Sequence, residues 1–175
     1  MTSARPAFTR RAALAGGAAA ALALAAPAAA ADDDETPRKK TPVPPGEPSV
    51  LHALIGRENA AAAAYRAAAA VDPRLGRLAE HEADHARALN SQLAALGLNG
   101  PLPVSDASRL SGEAGRLAGA GDRTEALAAA VALERSLLDA YAEALGGLHV
   151  ANIVRTAATV MGSHAQHLAV LERVW

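Results

Sequence analysis

Two pairs of residues in this sequence have the spacing of metal ligands on a helix. Glu82 and His85 lie three positions apart, and His164 and His167 lie at the same interval. Residues at this interval share one face of an α-helix. Carboxylate oxygens and imidazole nitrogens both bind divalent transition metals. The spacing therefore favours metal binding as a hypothesis for the function, provided that other elements bring further ligands to the same place.

Two further glutamates are each followed by a tyrosine at the same distance. Glu58 precedes Tyr65 by seven positions, Glu134 precedes Tyr141 by seven, and the chain has no other tyrosine. The repeat indicates two chemically similar halves. We interpret the tyrosines either as hydrogen-bond donors or electron sources beside a metal site, or as ordinary core residues.

The elements that would position these residues are helices. From Ser49 onward the chain is rich in Ala, Leu, Arg and Glu, which favours an all-α fold. Four long helices are predicted: Ser49 (as N-cap) to Ala70, Asp72–Pro73 (cap and first turn) to Gly97, Asp122 (cap) to Gly146, and Val150 to the end. More than twenty residues separate the second from the third, with a short helical turn expected in "EAGRLAGA". This pattern predicts a four-helix bundle in which one long crossover joins two hairpins.

Helical phase places all six residues on apolar seams. Residues at steps of three and four share a face, and the second seam runs through Leu75, Leu78, Glu82, His85 and Leu89. The other seams are Leu51, Leu54, Glu58, Ala62 and Tyr65; Leu127, Val131, Glu134, Leu138 and Tyr141; and Ile153, Ala157, Val160, His164, His167 and Leu171. Off these seams, and so predicted to be solvated, are Glu80, His81, Asp84, Asp139, Glu143 and Glu172.

A core that buries these six side chains must compensate their charge. Burying an unpaired carboxylate costs several kcal/mol, so the groups need one another or a cation. Two interpretations follow from the residues: a divalent metal site, or a metal-free network of hydrogen bonds. The candidate metal ligands are Glu58, Glu82, His85, Glu134, His164 and His167.

These residues resemble the exported bacterial ferritin-like proteins, relatives of the di-iron carboxylate bundles. The family pattern is a Glu on the first and third helices and Glu-x-x-His on the second and fourth. Glu58, "EADH" (Glu82 to His85) and Glu134 match it. The resemblance covers about residues 50 to 174 and implies a ferritin-like four-helix bundle with one or two metal ions, iron foremost and manganese or zinc as alternatives.

The resemblance also implies how the ligands divide and what they do. Glu58, Glu82 and His85 would hold one ion, while Glu134, His164 and His167 would hold a second, weaker one. With iron, the site would oxidise Fe(II) with dioxygen or peroxide, which is ferroxidase-like oxidoreductase chemistry. The alternative from another functional class is a metal-free helical module with a structural or partner-binding role.

The fourth helix departs from the family pattern at His164. The second motif reads "HAQH", with His164 where the pattern has Glu. In the di-iron relatives the two motif carboxylates bridge the metals, and an imidazole cannot bridge in that way. Three carboxylates also leave a net charge of about +1 against two divalent ions, where four would leave zero. The extra nitrogen suits a single zinc, copper or iron at least as well.

The N-terminal residues predict export. Residues 1–31 contain a basic segment ending in Arg10–Arg11, an Ala/Leu stretch and an Ala-x-Ala cleavage site before Asp32. The paired arginines favour the twin-arginine route over general secretion, and the destination is periplasmic, envelope or secreted. Residues 32–48, which are charged and proline-rich, are predicted to be a disordered tether. The bundle is then expected to span residues 49–175.

Composition excludes several classes of function. The chain has no cysteine, so disulfides, thiolate metal sites and a lipoprotein anchor are excluded. Removing the signal leaves 14 basic against 18 acidic side chains, which indicates neither a nucleic-acid nor an anionic-membrane partner. The apolar signal segment is too short for a membrane span, and none is expected in the mature chain. Close packing of Ala-rich helices favours small ions over haem or flavin, and the sequence leaves a homodimer open.

Overall fold

A computed structural model describes residues 46–174, which form five α-helices and one short 3₁₀ turn. The predicted export signal (1–31) and residues 32–45 of the predicted tether lie outside the described residues. The helices are α1 (Glu47–Ala68), α2 (Leu75–Ala95), α3 (Gly112–Ala118), α4 (Arg123–Leu145) and α5 (Ala151–Val174). The all-α prediction is confirmed, and α3 is the short helix expected in the crossover. No helix in the described part of the chain combines the length and hydrophobicity that crossing a bilayer requires.

The four long helices form two hairpins that pack side by side. α1 packs against α2 and α4 against α5, while α2 contacts α5 and α1 contacts α4. The short helix α3 lies on α1 and α4. The crossover therefore covers the α1/α4 side of the bundle, and among the described elements no helix covers the α2/α5 side.

The buried face of α4 is shifted from the predicted seam. Leu127, Val131 and Leu138 are only half-buried, although Glu134 and Tyr141 are buried as expected. The crossover helix explains the shift, because its residues Ala114 and Leu117 join one apolar cluster with the face of α4 that lies next to the seam. The apolar residues buried on that face are Ala126, Ala130, Leu133 and Leu137.

The first helix begins at Glu47, two residues before the predicted start at Ser49, and Gly46 occupies its N-cap position. The Glu47 carboxylate is fully buried. Its Oε1 accepts hydrogen bonds from the backbone N–H groups of His149 and Val150, the latter at 2.7 Å. These donors immediately precede α5, so a residue predicted to belong to the tether instead caps the last helix.

Replacing Glu47 by alanine is expected to lower the free energy of unfolding by about 2 kcal/mol, because two backbone donors at a helix start lose a buried charged acceptor. Chemical denaturation monitored by circular dichroism would measure the loss. Glu143→Ala, at an exposed position of α4, is the matched control and should change stability by less than about 0.5 kcal/mol. Equal stability of the two variants would contradict the capping role.

Of the other two predicted N-caps, Asp122 is confirmed and Asp72 is wrong. Asp122 caps α4, since its Oδ1 accepts from the Glu125 N–H at 2.9 Å. Asp72 does not cap α2, which begins at Leu75. Its carboxylate instead pairs with Arg74 at 2.7 Å and with Arg123 at 3.2 Å, and the pKa of Asp72 is lowered mainly by the hydrogen bonds from Arg74. Asp72 thus ties the α1–α2 turn to the start of α4.

Candidate metal centre

All six predicted ligands meet in the middle of the bundle. The side chains of Glu58, Glu82, Glu134 and His164 are completely inaccessible to solvent. His85 and His167 expose 12% and 7% of their side chains. The small exposed area of the cluster therefore belongs to α2 and α5, on the side that α3 does not cover.

One half of the cluster is built around Glu58. The Tyr141 hydroxyl donates to Glu58 Oε1 at 2.6 Å. His164 Nε2 lies 3.1 Å from the same oxygen, and His85 Nδ1 lies 3.4 Å from Oε2. Three helices thus converge on this carboxylate in addition to its own.

The other half repeats this arrangement around Glu134. The Tyr65 hydroxyl donates to Glu134 Oε1 at 2.6 Å, and His164 Nδ1 lies 2.9 Å from Oε2. His167 Nδ1 lies 3.5 Å from Oε1. The chemical repeat seen in the sequence is therefore a spatial repeat, but each tyrosine pairs with the glutamate of the opposite hairpin.

Glu82 connects the two halves. Its Oε2 lies 3.1 Å from His85 Nδ1, and its Oε1 lies 3.1 Å from His167 Nδ1. Two groups of side chains consequently offer ligand atoms that lie within 4.8 Å of one another: Glu58, Glu82, His85 and His164, and Glu82, Glu134, His164 and His167. Glu82 and His164 belong to both groups, whereas the predicted division gave each of them to one ion only.

The three glutamates of the cluster differ in the direction in which the fold shifts their pKa. Burial alone would raise the pKa of Glu58 and of Glu134, but hydrogen bonds from the neighbouring histidines, His164 foremost, more than offset it and lower both. At Glu82, burial and the charges of the other two glutamates prevail over the favourable interactions with His167 and His85, so its pKa is raised. Of the three glutamates, Glu82 is therefore the one whose ionised form the metal-free fold stabilises least.

The histidines carry the compensating protons. Burial would lower the pKa of His164 and His167, but the adjacent carboxylates outweigh it and raise these values to about 10 and about 9. The pKa of His85 is raised in the same way. Burial and the adjacent carboxylates raise the pKa of both tyrosines, which keeps them as donors. Protons on imidazole thus balance the buried carboxylates.

The residues fit a divalent cation. Glu58 Oε2, Glu82 Oε1 and His167 Nδ1 are buried without a hydrogen-bond partner. Glu82 Oε1 and His167 Nδ1 lie only 3.1 Å apart, but they are not aligned for a hydrogen bond. A buried polar atom left without a partner costs about 1–3 kcal/mol. A divalent ion would satisfy these atoms, and their oxygen and imidazole character suits first-row metals.

His81 adjoins the candidate metal centre, which helical phase does not predict. Its side chain is exposed, as predicted, but Nδ1 lies 3.0 Å from His167 Nε2 and the two rings stack at 5.2 Å. Ser163 Oγ lies 3.4 Å from the same nitrogen of His167. The four-residue spacing of His81 and His85, one helical turn, was the available signal. The other residues predicted to be solvated are indeed exposed: Glu80, Asp84, Asp139, Glu143 and Glu172.

A cavity of about 390 Å³ opens beside His81 and His167, between α2 and α5. Leu78, Val170 and Leu171 supply apolar walls, and Arg77 lies among the lining residues. This cavity borders the candidate ligand His167 on the side of the bundle that α3 does not cover. His52 and His149 lie outside both ligand groups.

Comparison with known proteins establishes the family. Residues 48–175 match the family model described as "Ferritin-like domain". The chain belongs to this ferritin-like family. The resemblance drawn from Glu58, Glu82, His85 and Glu134 is thereby confirmed as to family, while export stays a prediction.

Two solved structures share the fold of this ferritin-like chain. Hypothetical protein MJ0754 from Methanococcus jannaschii is 15% identical with a TM-score of 0.67, and the match covers 77% of this chain and 82% of that one. The conserved hypothetical protein rv2844 from Mycobacterium tuberculosis is 16% identical with a TM-score of 0.61, over 74% and 97% of the two chains. No curated protein matches the chain. At these identities the likeness concerns the fold alone.

Proposed function

We propose that this ferritin-like protein binds divalent metal ions in its core and serves as a metal-dependent redox protein of the cell envelope. The observation that carries the metal site is the convergence of three buried glutamates and three histidines in two overlapping ligand groups. Iron bound there would supply the one-electron chemistry by which Fe(II) is oxidised with dioxygen or peroxide. The protein's own residues hold the ion, exclude bulk water and keep Tyr65 and Tyr141 hydrogen-bonded to the carboxylates.

Metal analysis tests the proposal directly. Protein expressed in rich medium and purified without chelator is expected to carry about one or two divalent ions per chain, and added Fe(II), Mn(II) or Zn(II) should raise the melting temperature of stripped protein. A stoichiometry indistinguishable from zero, together with a melting temperature that no metal changes, would overturn it. Consumption of dioxygen on adding Fe(II) would test the redox part separately.

A second candidate function is a metal-free structural or partner-binding module. It is favoured by the internal pairing of the cluster, in which each buried glutamate lies within 3.1 Å of a histidine nitrogen. Such a network is self-consistent without an ion. Under this hypothesis, Glu134→Ala changes stability but removes no metal, so the same metal analysis separates the two candidates.

Replacing His81 by alanine is expected to weaken metal binding by about 10- to 100-fold. His81 Nδ1 can accept the Nε2–H of His167, which leaves the Nδ1 lone pair of His167 free for an ion. Titration of stripped protein with Zn(II) in the presence of a competing chelator would measure the change. His149→Ala, at an exposed histidine outside the cluster, should bind as the native protein does. Equal affinities of the two variants would remove His81 from the site.

The envelope location is proposed from residues 1–31. The basic segment, the Ala/Leu stretch and the Ala-x-Ala site support export, and Arg10–Arg11 supports the twin-arginine route. Residues 1–45 fused to a reporter protein are expected to direct it out of the cytoplasm. Changing both arginines to lysine should stop this export, whereas continued export would indicate the general secretory route.

A further inference from the structure

His164 uses both nitrogens of its ring, one toward each half of the cluster. Nε2 lies 3.1 Å from Glu58 Oε1, and Nδ1 lies 2.9 Å from Glu134 Oε2. The lone pairs of the two nitrogens of an imidazole point away from each other across the ring. The His164 ring therefore lies between Glu58 and Glu134 and contacts both of them.

The two halves offer equivalent donors around this ring. The first presents Glu58, His85 Nδ1 and Oε2 of Glu82, and the second presents Glu134, His167 Nδ1 and Oε1 of Glu82. Each half thus combines one glutamate of its own, one histidine of its own, one oxygen of the shared glutamate and one nitrogen of the shared imidazole. That is a set of two oxygens and two nitrogens for each of two ions.

We propose that His164 bridges two divalent metal ions as an imidazolate, with Nε2 on the ion of the Glu58 half and Nδ1 on the ion of the Glu134 half. The inference rests on the proposed metal-binding function and specifies its stoichiometry and bridging ligand. Glu82 faces both halves with one oxygen each, so the two ions share one carboxylate and one imidazolate.

Charge balance supports the bridge. Three carboxylates against two divalent ions leave a charge of +1 in a largely buried site, and such an uncompensated charge is costly. An imidazolate supplies the fourth negative charge and restores the neutrality that four carboxylates provide in the family pattern. Each ion displaces one proton from the ring of His164, and both protons pass to solvent. No change in oxidation state is involved.

A single ion is the competing arrangement. It would occupy one half, with a neutral His164 donating its remaining N–H to the glutamate of the other half. The buried atoms that lack a hydrogen bond favour two ions, because Glu58 Oε2 lies in the first half while Glu82 Oε1 and His167 Nδ1 lie in the second. One ion could satisfy only one of these halves.

The first test compares the zinc content of three chains that have been stripped and equilibrated with Zn(II). The native chain is expected to bind two ions per chain. His164→Glu, which restores the Glu-x-x-His pattern, should also bind two, whereas His164→Gln, which has no second ring nitrogen, should bind one at most. Two ions in the glutamine variant would overturn the bridge. Circular dichroism identifies a variant that has failed to fold, and the second test does not depend on variants.

The second test locates the ions in the native protein. Anomalous diffraction from Zn(II)-loaded crystals should place one ion at about 2.0–2.1 Å from each ring nitrogen of His164. A single ion per chain, or two ions of which only one contacts the ring, would overturn the bridge while leaving the proposed metal-binding function intact. Zero ions in the native chain would overturn both, so the two failures are distinguishable.

Discussion

Replacing Glu82 by glutamine is expected to weaken metal binding by more than about 100-fold, the largest loss of any single substitution that keeps the shape of the side chain. Glu82 faces His85 with one oxygen and His167 with the other, and it belongs to both ligand groups. Loss of a metal ligand exceeds the 10- to 100-fold effect typical of residues that only support one. Metal content after dialysis and chelator competition with Zn(II) would measure it.

The same substitution is expected to change the stability of the metal-free protein much less than its metal binding, because an imidazole that loses its carboxylate partner can release its proton to solvent when the Glu82 charge is removed. The pKa of Glu82 is raised, chiefly by burial, so its ionised form is less favourable in the folded than in the unfolded state at neutral pH. A neutral glutamine removes that penalty. Such a separation of binding from stability is expected of a residue retained for a ligand.

Glu80→Gln is the matched control for this experiment. Glu80 lies on the same helix, its side chain is exposed, and it belongs to neither ligand group. The control should bind metal as the native chain does and melt at nearly the same temperature. A Glu82→Gln chain that bound metal with native affinity would contradict the assignment, and one that simply unfolded would support a structural network instead.

Helical periodicity predicted the parts of the site that depend only on which face of a helix is buried. Steps of three and four placed Glu58, Glu82 and His164 on the seams, and all three side chains are completely buried. The crossover length predicted the pairing of the helices into hairpins. These features follow from local helix geometry and from the cost of exposing apolar surface. Both can be inferred from the pattern of apolar residues in one sequence.

The parts that periodicity did not predict depend on where side chains extend and on contacts between distant residues. Helical phase placed His81 on the surface, but its ring lies against His167 of another helix. The cap of α5 comes from Glu47, more than one hundred positions earlier in the chain. Spacing does not specify side-chain rotamers. For that reason it could not predict which glutamate each tyrosine bonds, or that His164 contacts both Glu58 and Glu134.

Metal binding is expected to strengthen as the pH rises. In the absence of metal, the carboxylates raise the pKa of His164 to about 10 and that of His167 to about 9, so both rings are protonated at neutral pH. An ion must displace those protons, and the apparent affinity should therefore rise by about tenfold per pH unit for each proton displaced. Competition with a chelator of known pH dependence, from about pH 6.5 to about pH 8.5, would measure the slope.

The stability of the metal-free protein should change in the opposite direction. A histidine whose pKa is raised by folding contributes stability that is complete below its unfolded pKa, about 6.5, and is lost as the pH rises through the folded value. The lowered pKa of Glu58 and of Glu134 contributes stability throughout this range, so these two residues do not mask the decline. The melting temperature without metal should therefore fall above about pH 6.5, while the increment on adding Zn(II) grows.

Glu82→Gln should separate the two effects. Without effective metal binding, it should retain a decline in melting temperature with pH, since His164 and His167 still face Glu58 and Glu134. It should show almost no increment from Zn(II) at any pH. An affinity independent of pH in the native chain would mean that no protons leave the cluster on loading, and the ions would then bind elsewhere than at His164 and His167.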